Sequence, residues 1–156
     1  MNETIGYVMA FILAATPFFE MVAVIPLGVI SGLNTIPVTI VAFLGNLLTV
    51  IIVILMMTKI KAWLKRRREA KGKEGSTKRE NRAKQIWQRY GLFGLALIGP
   101  ILIGSHLAVI MAMSFGGTKK KMTVYMTGSL LLWAVVTAVG THLGVEFFMF
   151  DGNWWG

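Results

Sequence analysis

The sequence predicts an all-α integral membrane protein made of two inverted repeats, each a re-entrant helical hairpin followed by a transmembrane helix. Three observations predict it: long stretches almost free of charge, helix-breaking residues in the middle of only some of them, and strict segregation of the cations. Of 156 residues, 55% are hydrophobic and 15% charged, and mean hydropathy is +0.66, more apolar than a water-soluble domain normally is.

Four stretches, Ile5 to Ile30, Ile36 to Thr58, Tyr90 to Thr118 and Met122 to Val145, reach the roughly 20 residues that a spanning helix needs. The second and fourth read as straight spans over 36–58 and 122–145, with Pro37 at a first turn, where its missing N–H costs nothing. The first and third carry Pro17 and Pro26, and Gly99-Pro100 and Gly104, and are expected to break there and turn back. They become hairpins over about 5–30 and 90–117. The repeats then occupy 1–58 and 90–146, with a basic linker at 59–89 and an outer tail at 147–156.

Charge fixes the expected topology. All sixteen Lys and Arg lie in Lys59–Arg89 and Lys119–Lys121. Were all four stretches to cross the bilayer, these two clusters would face opposite sides, against the rule that flanking cations stay cytoplasmic. With the first and third re-entrant, both clusters are inside, and Glu3, Glu146 and Asp151 are outside with both termini. The predicted location is a multi-pass chain in the plasma membrane. Met1-Asn2-Glu3-Thr4 lacks a basic n-region, so the first apolar segment is expected to be retained.

At an offset of 83 positions, Tyr7 matches Tyr90, Pro17 matches Pro100, Ser31 matches Ser114, Thr35 matches Thr118 and Gly45 matches Gly128. Ten identities fall in 73 pairs, and the coincidence of Pro, Gly, Ser and Thr carries the case for a repeat. An odd number of crossings between the halves makes such repeats inverted, a transporter plan with its site near the midplane.

Ala15-Thr16-Pro17-Phe18-Phe19-Glu20, Ile25-Pro26-Leu27-Gly28, Phe43-Leu44-Gly45-Asn46-Leu47-Leu48 and Tyr90-Gly91-Leu92-Phe93-Gly94-Leu95-Ala96 resemble the small multidrug export family. That family is similar to DedA-type membrane proteins, whose members are linked to lipid-carrier translocation. The resemblance implies export of a small amphipathic molecule or, by the DedA link, a flippase for phospholipid or polyprenyl phosphate. This chain has Ser105 and His106 in the second hairpin, where DedA-type proteins typically carry arginines.

Glu20 is the only acidic residue inside an apolar stretch. A charged carboxylate at the bilayer centre costs roughly 2.5–3.5 kcal/mol on insertion scales, so it must be protonated, paired or facing water. Glu20 is therefore the expected proton or cation site, or else a cap for the broken helix. His106 is its expected partner across the repeat, exchanging protons near neutrality or bonding backbone carbonyls at the break. Asn46 and Ser129 occupy matching positions in the two spans and either line a path or join helices. Pro17, Pro26 and Pro100 free carbonyls at the breaks, and Ser105 lies beside His106 on that path.

Other chemistries are excluded. The chain has no cysteine, and its two histidines are far apart with no carboxylate cluster, so no metal site or cofactor is expected. Neither a phosphate loop nor a hydrolytic triad is present, so no enzyme is expected, and no motif supports nucleic-acid binding. The expected partners are the bilayer with its anionic headgroups and a small amphipathic substrate or lipid headgroup; a homodimer is left open. A non-transporting membrane scaffold using its basic loop is the third functional reading.

Overall fold

The computed structural model describes residues 3–17, 19–71 and 78–150, which form helices α1 (Glu3–Ala14), α2 (Glu20–Ile30), α3 (Thr35–Lys71), α4 (Lys78–Leu102), α5 (Ser105–Ser114) and α6 (Lys119–Phe150), with no strand among them. Two of these helices are long and apolar enough to cross a membrane, over Thr35–Arg67 and Lys119–Val145. The chain forms two compact units, Met1–Leu47 with Leu130–Gly156, and Leu48–Ser129.

In the first unit, α1 and α2 form an antiparallel hairpin. The backbone N–H of Asn34 donates to Tyr7 Oη at 3.3 Å, and a methyl built on Gly6 would meet Leu33 Cδ2 at 2.8 Å. The turn between the helices falls at Pro17, which has no N–H to continue α1 and disfavours helical geometry in the residue before it. Thr16 closes the end of α1: its N–H and its Oγ1–H both donate to Leu13 O, at 2.9 and 2.6 Å.

Pro26 corrects the sequence reading. It lies inside α2 and breaks nothing. A proline costs a helix one hydrogen bond, here the one to the carbonyl of Val22, and the remaining ladder of an apolar helix carries on through it.

The exit from α2 is a Schellman motif. Leu33 N–H donates to Gly28 O and Gly32 N–H to Val29 O, both at 3.0 Å, with Gly32 at φ 89°, a left-handed conformation that glycine adopts without steric cost. α3 then packs closely on α1 within this unit, since a methyl on Gly45 would lie 2.4 Å from the carbonyl oxygen of Phe11.

The second unit repeats the order helix, break, helix, turn, long helix. Of the breaks expected here, Gly104 is one and Pro100 is not. Pro100 is inside α4, and the chain turns only at Ile103-Gly104, where Gly104 has φ 95°. Gly99 has a packing role instead, because a methyl on it would meet Ala108 Cβ at 2.7 Å. A different residue interrupts α4: Gly91, at φ 64° and ψ −154°, separates its polar first half from its apolar second half. After α5 the exit is again a Schellman motif, with Gly117 N–H to Ala112 O at 2.9 Å, Gly116 N–H to Met113 O at 3.3 Å and Gly116 at φ 112°. Each of these bonds lies 84 positions after its counterpart in the first unit, one residue off the gapless sequence offset.

Burial along α3 and α6 follows the helical period. Val38, Ala42, Val50, Ile54 and Met57 of α3 are buried, as are Met122, Met126, Leu130 and Ala134 of α6. Ile36, Ile40, Leu44, Leu48 and Ile52 on α3, and Val124, Leu131, Val135 and Val139 on α6, are exposed. Apolar outward faces of this length are costly in water and suited to lipid.

Candidate functional site

Glu20, the first residue of α2, is buried at 8% exposure and has φ 43°. It is the only described non-glycine residue with positive φ. The left-handed region costs a side-chain-bearing residue on the order of 1–2 kcal/mol, and such strain persists only where the surrounding structure imposes it. Glu20 is the first residue of α2, and the start of a helix is the end that favours negative charge.

The first unit also holds two apolar cavities. One of about 140 Å³ lies in the α1–α2 hairpin, between residues such as Gly6, Ala10, Leu13 and Val24. The other, of about 770 Å³, is an open groove between α2 and the C-terminal part of α6, lined by Pro26, Val29, Ile30 and Leu33 on one side and Thr141, Gly144 and Val145 on the other. Its volume falls within the range of small-molecule sites. At 1.5 Å per residue the groove begins about 9 Å along α2 from Glu20, so carboxylate and groove are separate features of one helix. Pro26 belongs to the groove wall and sits between them.

The groove residues of α6 were not legible as a site in the sequence. Thr141 and Gly144 form part of a wall only because they line the groove opposite α2.

In the second unit, Ser105 and His106 open α5 and are buried. The ring of His106 is held at both nitrogens: Nδ1 lies 3.2 Å from Ser105 Oγ, and Nε2 lies 3.0 Å from Thr49 Oγ1 on α3. Thr49 is the residue that sequence reasoning missed. Its signal was a lone hydroxyl in a run of Leu, Val and Ile, but its partner stands 57 residues away. Ser129, also buried, donates from Oγ to Leu97 O at 3.5 Å and joins α6 to α4. Asn46, in the first unit, is fully buried. Pro17 is exposed in its turn and Pro100 is buried in α4. Among the described residues no group of His and carboxylates could hold a metal ion.

The two basic clusters converge on one end of the second unit. Lys61 Nζ donates to Met113 O at 2.8 Å, and Lys119 Nζ donates to Leu55 O at 3.1 Å. Lys61 thereby satisfies a carbonyl in the last turn of α5, where a cation is favoured.

Comparison with curated proteins and comparison with solved structures each gave no match. A family model described as "Putative small multi-drug export protein" matches residues 20–136. The match opens on the buried Glu20, takes in Asn46, Pro100, Ser105, His106 and Ser129, and ends within α6, short of Thr141 and Gly144. Covering three quarters of the chain, it makes this protein a member of the small multi-drug export family.

Proposed function

We propose that the protein is a multi-pass secondary transporter that exports a small amphipathic molecule across the plasma membrane, with proton coupling through Glu20. The observation that carries this reading is the buried carboxylate in a left-handed backbone at the break of a helical hairpin. A strained, ionisable residue inside apolar sequence is a costly arrangement, and function is the usual reason for keeping one. Within the hairpin, α2 is the coupling element: Glu20 stands at its start, the groove that would receive the apolar part of the cargo lies along its second half, and Pro26, with its missing hydrogen bond, sits between. Protonation of Glu20 changes the charge at the helix start, and the weakened ladder at Pro26 lets the groove wall respond.

Three features support re-entrant hairpins in inverted repeats. α1, α2 and α5, at 12, 11 and 10 residues, are only about 15–18 Å long, roughly half the ~30 Å hydrocarbon core. Both cation clusters meet at one end of the second unit, as a single cytoplasmic side requires. The same turn follows each hairpin. His106 is a second proton-exchanging group in this reading, oriented by Ser105 and Thr49. A flippase for phosphate-bearing lipids fits less well, since α5 supplies Ser105 and His106 and no arginine.

The test is efflux of an amphipathic fluorescent cation, such as ethidium, from proteoliposomes under an imposed pH gradient. Glu20→Gln is expected to abolish gradient-driven flux with insertion intact, and Gly144→Trp, which fills the groove, to block flux of the dye at any pH. Undiminished gradient-driven flux in Glu20→Gln would reject the coupling. A scaffold that transports nothing would give no flux from the unaltered protein.

A further inference from the structure

The first half of α4 is a helix of its own. Gly91 has backbone angles open in practice only to glycine, so the hydrogen-bond ladder is interrupted there, and residues 78–90 do not continue the axis of the apolar segment after them. Within 78–90 the residues sort by face. Ala83, Ile86, Trp87 and Tyr90 recur at the i, i+3, i+4, i+7 spacing of an apolar stripe. Ala83 is fully buried, and Trp87 packs against Phe115 of the turn after α5 with ring centroids 5.5 Å apart. Lys78, Arg82, Lys84 and Arg89 lie off that stripe and are exposed.

This exposed face does not stand alone. The Lys61–Met113 and Lys119–Leu55 hydrogen bonds bring the end of α3 and the start of α6 to the same end of the unit, adding exposed Lys59, Lys120 and Lys121. Two exposed aromatic rings lie close to cations of this region. Trp63 is 54% exposed with the Arg67 guanidinium 5.0 Å from its centroid, and Tyr90 is 53% exposed with that of Arg89 at 5.6 Å. A ring half in apolar surroundings with a cation over it is suited to the depth where hydrocarbon gives way to headgroups. The exposed cations among the described residues here, Lys59, Lys78, Arg82, Lys84, Lys120 and Lys121, make the face positive.

We propose that helix 78–90, together with Lys59 and Lys119–Lys121, is a docking face for the anionic phospholipid headgroups of the leaflet it borders. The helix is held by its apolar stripe to the protein and presents its cations to the bilayer surface. This is binding of lipid as a partner, and it stands whether or not the protein is a proton-linked exporter.

The test uses the full chain with Trp133, Trp154 and Trp155 replaced by Phe, so that Trp63 and Trp87 report. It is reconstituted in phosphatidylcholine bilayers containing the same small mole fraction of either dibrominated phosphatidylglycerol or dibrominated phosphatidylcholine. At low salt, quenching by the phosphatidylglycerol is expected to indicate local enrichment of about fivefold or more, the Boltzmann factor for one well-placed cation. Enrichment should fall towards parity in 0.5 M salt and in the variant Arg82→Gln/Lys84→Gln/Lys120→Gln/Lys121→Gln, whose helicity by circular dichroism should be unchanged. Equal quenching by the two lipids at low salt would overturn the proposal. So would a preference that survives both salt and the four neutralisations.

Discussion

At the scale of single residues, Glu20 and His106 are held in opposite ways. Glu20 is held under strain, so substitution should separate its backbone from its side chain. Glu20→Gly relieves φ 43° and Glu20→Gln does not; the glycine variant is expected to be the more stable by about 1 kcal/mol in thermal unfolding in detergent, although both lose the carboxylate. Equal stabilities would mean that the left-handed geometry costs nothing. His106 is held by hydrogen bonds. Thr49→Val keeps the shape but takes the partner from a buried ring nitrogen and should destabilise by about 1–3 kcal/mol, while Thr49→Ser should recover most of that loss in the same measurement. The sequence made Glu20 and His106 legible because ionisable groups are rare in apolar stretches. It left Thr49 hidden, because a threonine in a span reads the same whether it faces a histidine or a neighbouring carbonyl.

At the scale of helices, what was legible depended on length. α3 and α6 stand out as apolar runs longer than a bilayer is thick, and both are helices of that kind. The breaks in the shorter helices were read from prolines and from Gly104, and of these Pro17 and Gly104 each mark one while Pro26 and Pro100 do not. Pro26 and Pro100 each remove a single donor, which a helix tolerates, whereas Gly104 and the turn at Pro17 change the backbone direction itself. Glycines also sort by contact. Gly45 and Gly128 align in the repeat, yet a methyl on Gly45 strikes the Phe11 backbone, while one on Gly128 meets nothing within 4 Å. Gly45→Ala is therefore expected to cost about 1–3 kcal/mol by forcing α1 from α3, and Gly128→Ala to leave unfolding nearly unchanged. If both variants matched the unaltered protein, the close approach of α1 to α3 would be wrong.

At the scale of the whole molecule, the expected topology turns on the side of the membrane that each loop faces. This chain has no cysteine, so single cysteines report without background. Leu33, in the loop after α2, is only 8% exposed and would label poorly; Ser31 beside it is exposed, as is Lys120. In intact cells, an impermeant thiol reagent is expected to modify cysteine at Ser31 and to spare cysteine at Lys120 until the membrane is opened. Modification of both from outside would rule out re-entrant hairpins. Charge segregation along the chain is what the expected topology rests on. The large groove was not legible in the sequence, because it depends on which stretches of α2 and α6 line it, and both read there only as apolar helix.

The Schellman turns at Gly32 and Gly116 bear on how such a chain is made. Every hydrogen bond in either turn closes over no more than five residues. Each hairpin is likewise complete within about thirty residues of chain. The first can thus be fully paired as it leaves the ribosome, before any of the second has been translated, and the insertion machinery receives a finished bend in place of a thread it must learn to fold.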